Sequence, residues 1–177
     1  MTDEELMAAV CSGDETAYQA IVRQHIKPIS HYAYRMLGNR KDCEDITQET
    51  FLRLWLNAKK WQPEKARLST WLHRIAHNLC VDMLRKTSRF EDMAEPQDIV
   101  QQEYGENSAE QDEKIKKLNR AIARLPESQR SALMLCHYQN FSNKEAAEIM
   151  NTSVKAVESA LTRARHSLRN ELQEYLR

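Results

Sequence analysis

Between Phe51 and Thr87, eight lysines and arginines stand against two acids, with Trp55, Trp61 and Trp71 interleaved among them. Lys59, Lys60, Lys65, Arg67, Arg74, Arg85 and Lys86 can neutralise phosphates, and an aromatic face can stack an unpaired base. The amide of Asn78 can read a base edge. Residues of these types, mixed in this way, suit a surface for single-stranded nucleic acid. Trp55 and Trp71 fall within apolar helical patterns and are expected in the core. Trp61 sits in a loop beside Pro63 with lysines on both sides, which makes it the stacking candidate.

A second constellation lies at 141–173. Ser142 followed three residues later by Glu145 is a capping box that starts a helix with an apolar face of Ala146, Ala147, Ile149 and Met150. Asn151, Thr152 and Ser153 interrupt it. Val157, Leu161, Ala164, Leu168, Leu172 and Tyr175 then form one stripe of a second helix, whose opposite face carries Lys155, Ser159, Thr162, Arg163, His166 and Arg169. Two helices joined by a three-residue turn, the second with a polar and basic outer face, match the helix-turn-helix that reads duplex DNA in the major groove.

Two further groups are weaker. Asp42, Glu44, Asp45 and Glu49 cluster at a helix start, where carboxylates suit the positive end of the helix dipole; they also suit docking to a basic partner. His73, His77 and Cys80 stand at i, i+4 and i+7, but the set lacks the Glu of H-E-x-x-H and a fourth ligand. Packing and phosphate contact are the expected roles of the histidines, and no metal or other cofactor is expected. With no Gly-rich nucleotide loop and no Ser/His/Asp order, an enzyme is not expected either.

The elements that must position these residues are helices. Three Gly and four Pro in 177 residues argue against a turn-rich sheet fold. Periodicity predicts two helices over 3–35 broken at Ser12-Gly13-Asp14, with a bend near Pro28 and a C-cap at Gly38. A strongly apolar helix follows, containing Ile46, Phe51, Leu52, Leu54, Trp55 and Leu56. Another, capped by Ser69 or Thr70, runs to Arg85-Lys86. Helix resumes near Lys114, and Pro126 opens the next.

The neutral total charge conceals segregation. Residues 1–50 carry −4, 51–87 carry +6, 88–113 carry −8 and 114–177 carry +6, so two basic blocks flank an acidic spacer. The spacer is poor in large apolar residues and predicts a flexible linker. The expected fold is therefore all-α: two small helical domains, 1–87 and 114–177, joined by a flexible acidic linker at 88–113. The four cysteines are too scattered for a zinc ribbon or a disulfide framework. The acidic N-terminus lacks an apolar signal core, and no run reaches membrane-span length, so a cytoplasmic location without membrane insertion is expected.

The run from Asp42 to Trp55, then Trp71-Leu72-His73-Arg74-Ile75-Ala76-His77-Asn78, then Leu125-Pro126-Glu127-Ser128-Gln129-Arg130, resembles the extracytoplasmic-function class of bacterial sigma factors. That resemblance implies sigma region 2 in 1–87 and region 4 in 114–177. It implies docking of Asp45, Gln48, Glu49 and Leu52 on core RNA polymerase. Capture of the −10 element falls to Trp61 and Asn78, with Arg74, Arg85 and Lys86 near phosphates. The last helix is implied to read the −35 element of promoter DNA, and the linker to thread toward the RNA exit path. An anti-sigma partner is implied as well. Where many members have V-K-S-R-L, this chain has Val157-Glu158-Ser159-Ala160-Leu161, which removes two positive charges near the groove. An unusual −35 preference is expected, with Lys155, Ser159, Thr162, Arg163 and His166 as the readers. The rival from another class is an all-helical adaptor or inhibitory binding protein that never touches DNA.

Overall fold

Short polar residues set several of the helix boundaries. In the computed structural model, which describes residues 1–88 and 109–173, Thr2 and Glu5 close a capping box at the start of α1 (Asp3–Cys11). The Asp14 carboxylate accepts from the amides of Thr16 and Ala17 and starts α2 (Glu15–Leu37). Gly38, at φ 67°, ends that helix in the left-handed conformation that glycine adopts without cost. Asn39 caps α3 (Arg40–Asn57), and a 3-10 turn (Ala58–Lys60) leads into the loop before α4 (Leu68–Ser88). The second half holds α5 (Ala109–Ala123), α6 (Glu127–Leu133), a π-helical turn (Met134–Tyr138), α7 (Asn143–Met150) and α8 (Val154–Gln173).

Helix α2 runs from Glu15 to Leu37 with Pro28 inside it. Three expectations are corrected. Ser69 and Thr70 lie within the first turn of α4 rather than capping it. Helix α5 begins at Ala109, so 109–113 are helical rather than linker; the rest of the acidic segment, 89–108, lies outside the described residues, as does Tyr175. His73 and His77 are only 1% and 7% exposed, which removes them from phosphate contact.

Those histidines show what binds the two helical units together. Helix α4 packs on α7, and α2 on α6, so α1–α4 and α5–α8 share one buried core that includes Tyr32, Met36, Leu72, Met134, Leu135 and Ile149. The His73 ring meets Phe141 edge-on at 4.7 Å, while its Nδ1 lies 2.8 Å from the Ser69 carbonyl. His77 Nδ1 is 2.8 Å from the Tyr32 hydroxyl and 3.4 Å from the Ser131 hydroxyl. Gln139 donates to the Pro28 carbonyl across the same seam at 3.2 Å.

Arg130 is the strongest polar link. Its guanidinium donates to the carbonyls of Ala123 and Leu125 at the end of α5, at 2.5 and 3.0 Å, and to the Met36 carbonyl in the last turn of α2 at 2.6 Å. Only a planar fork of N–H donors reaches three acceptors pointing from different segments. The Leu125-to-Arg130 motif thus both terminates α5 and fastens the second unit to the first.

The buried histidines make stability depend on acid. Desolvation holds the His73 pKa down to about 4, only partly offset by the Ser69 carbonyl; desolvation and then the Arg85 charge hold His77 to about 4. The unfolded chain protonates these rings near pH 6.5, the folded chain only near 4. Their stabilising contribution is therefore complete above about pH 6.5 and is lost progressively as pH falls from there to about 4, at roughly 3 kcal/mol per ring. Denaturant titrations at about pH 7 and about pH 4.5 should give a clearly lower midpoint in acid, and His77→Gln should reduce the difference by about half. Equal midpoints would remove this account.

Candidate polymerase and nucleic-acid interfaces

Helix α3 turns its apolar side inward through Cys43, Ile46, Phe51 and Leu54. This phase leaves Asp45, Gln48 and Leu52 exposed, with Glu49 partly so, at successive three- and four-residue steps along one outer stripe. Glu49 pairs with Arg53 at 3.1 Å. Leu56 extends the stripe by one turn and is 68% exposed, beside Leu52 at 48%. The sequence counts Leu56 only among the residues of a strongly apolar helix. Its outward orientation is foreshadowed there, because residues 51, 52, 54, 55 and 56 surround more than half of a helix and cannot all face one way. The result is an acidic edge with two unpartnered leucines.

Trp61 follows the 3-10 turn and is not a free loop tryptophan. Its indole Nε1 donates to the Ala66 carbonyl at 3.0 Å, the ring packs against the core, and Lys65 and Ala66 N–H groups close back on the Gln62 carbonyl. The loop is consequently a fixed platform that holds Lys59, Lys60, Lys65 and Arg67 in the open. Along α4, the expected residues Arg74, Asn78, Arg85 and Lys86 are all exposed, because Leu72, His73, Ala76, His77, Cys80 and Val81 take the inner side. Trp55 and Trp71 are partly buried against the core as expected, Trp55 packing edge-on to Tyr18 at 5.1 Å.

Two of these cations are held by carboxylates of the other unit. Arg67 is bound to Glu145, the capping-box residue of α7, with its Nε at 3.0 Å; Arg85 lies 3.4 Å from Glu127 of α6. Glu145 is held below its ordinary pKa by the Arg67 and Ser142 hydrogen bonds, which outweigh the opposing desolvation.

The helix-turn-helix forms as its sequence requires. Ser142 and Glu145 make the reciprocal capping box, and Asn151, at φ 53°, turns the chain between α7 and α8. Helix α8 buries Val157, Ala160, Leu161 and Ala164 and exposes Lys155, Ser159, Thr162, Arg163 and His166. All five expected readers therefore share the solvent side of one helix.

Residues 21–90 match the family model of Sigma-70 region 2, and residues 115–168 that of Sigma-70 region 4. The chain is 33% identical to the ECF RNA polymerase sigma factor SigE of Mycolicibacterium smegmatis, over 98% of this chain and 70% of that protein. It is 31% identical to the ECF RNA polymerase sigma factor SigW of Bacillus subtilis, over 93% of this chain and 94% of that one. The chain belongs to the ECF sigma factors.

In this sigma factor, region 2 takes in most of α2 together with α3 and α4, and region 4 spans α5 to α8. The fold is similar to that of the sigma factor RpoE from Bartonella quintana, solved in complex with the anti-sigma factor NepR: TM-score 0.74 at 20% identity, over 88% of this chain and 96% of that one. It is also similar to CnrH, solved with the cytosolic domain of CnrY, at TM-score 0.73 and 24% identity over 97% of both chains. Neither family model nor relative supports the adaptor reading. Among the described residues, no helix is long and apolar enough to cross a membrane.

Proposed function

We propose that this ECF sigma factor docks on core RNA polymerase through the α3 stripe of Asp45, Gln48, Glu49, Leu52 and Leu56. It holds the unpaired −10 strand on the Trp61 platform and the Asn78 face of α4, with Arg74, Arg85 and Lys86 on phosphates. It reads the −35 duplex with the outer face of α8. The observation that carries this reading is the simultaneous exposure of three chemically distinct faces on α3, α4 and α8, each opposite a buried apolar side. The protein positions polymerase and strand, acts in the cytoplasm, and catalyses nothing itself.

The packing of α4 on α7 gives this function a conformational requirement. The two promoter elements lie roughly 25 base pairs apart, about 85 Å at 3.4 Å per base pair. Helices in van der Waals contact cannot serve both at once, so α7 leaves α4 when promoter DNA is engaged, and Arg67 and Arg85 exchange Glu145 and Glu127 for phosphates. An anti-sigma protein that favours the closed arrangement would hold the factor inactive.

Reconstituted transcription with core polymerase and a promoter library tests the proposal: initiation downstream of a shared pair of elements, dependent on this protein, is the expected result. Core binding without initiation would refute it. Asn78→Ala, a change on an exposed site, should lower open-complex formation on the order of tenfold with unchanged affinity for core. A loss of core affinity instead would place Asn78 in the wrong surface.

A further inference from the structure

The strip of α8 that faces outward contains one residue of the wrong sign. Glu158 lies three positions after Lys155 and four before Thr162, so it shares their strip, and it is exposed. Between Val154 and Asn170 it is the only acid, set among Lys155, Arg163, Arg165 and Arg169. Among the described residues, its carboxylate has no hydrogen-bond or ion-pair partner. By contrast, Glu171 on the same helix pairs with Arg124 at 3.6 Å. Arg165, at i+7 and lining the same open polar groove of about 410 Å³, is turned to His137 at 3.0 Å. Glu158 is also the fifth residue of the helix, beyond the first turn in which the dipole stabilises an acid.

Nothing within the protein therefore accounts for a carboxylate at this place, and next to a polyanion it weakens binding to every sequence alike. The penalty is offset only where the groove offers a hydrogen-bond donor. In a helix-turn-helix, the N-terminal residues of the second helix meet base edges in the major groove. Of the four bases, cytosine presents its N4 amine there without an acceptor on the same base, whereas adenine sets N7 beside N6 and repels a carboxylate.

We infer that Glu158 is a specificity residue that selects cytosine at one position of the −35 element, its carboxylate accepting from the N4 amine. This rests on the reading that α8 binds the −35 duplex.

The test is promoter selection from a library randomised across the −35 element, with core polymerase and the full chain as wild type, Glu158→Gln, Glu158→Ala and Arg163→Ala. The wild type should prefer cytosine at one position by on the order of tenfold or more. Glu158→Gln should move that position to adenine, which glutamine reads in bidentate fashion, and Glu158→Ala should flatten it while preferences elsewhere in the element persist. An unchanged preference in both Glu158 variants, with an altered one in Arg163→Ala, would overturn the inference and leave the α8 reading standing. No change in any of the three would overturn both.

Discussion

Arg130→Ala should cost about 3–5 kcal/mol, a fall in melting temperature of roughly 10 °C or more for a chain of this size. The side chain donates to the carbonyls of Met36, Ala123 and Leu125, and its removal strands three acceptors in a region where water has limited access. Burial lowers the guanidinium pKa, with the Glu127 charge opposing that shift, but the group keeps its proton and its donors. Arg130→Lys should recover little, since an ammonium on a single stem cannot serve carbonyls at the ends of both α2 and α5. Thermal unfolding of the full chain measures this. A melting temperature within about 1–2 °C of wild type would show that the three bonds contribute little net stability.

The second large effect is on binding rather than stability. Leu52→Lys and Leu56→Lys alter side chains that are 48% and 68% exposed, so the fold should tolerate both. If the α3 stripe is the polymerase contact, each leucine fills an apolar recess on the partner. Losing it from the centre of an interface should weaken core binding on the order of 30-fold. Asp45→Lys should act in the same direction through charge reversal. The comparison to make is the dissociation constant for core polymerase against the melting temperature of each variant. Unchanged affinity with unchanged melting temperature would move the docking surface off α3.

These two predictions pull on different links. Arg130 acts through the seam between regions 2 and 4, the leucines through a surface with no partner inside the chain. The seam itself combines a durable apolar part, with Phe141 against His73, and a replaceable ionic part. Arg67–Glu145 and Arg85–Glu127 are at least half open to water on the arginine side. Exposed pairs of this kind contribute little stability, which suits contacts that give way to phosphates in the proposed function.

The sequence by itself determined several local features. The Ser142 and Glu145 capping box, the Gly38 stop and the stripe of Val157, Leu161 and Ala164 each depend on residues within about one or two helical turns, where side-chain period and backbone geometry are sufficient. The basic faces of α4 and α8 follow from the same phase argument. Tertiary structure decided which apolar and polar groups had a partner far along the chain. It turned Leu56 outward and buried His73 and His77 rather than leaving them for phosphates. It also joined Arg130 to Met36 across 94 residues. A periodic pattern states which side of a helix is apolar, but the neighbour that covers that side is chosen by long-range packing, where shape and hydrogen-bond geometry select among many apolar surfaces of equal hydropathy.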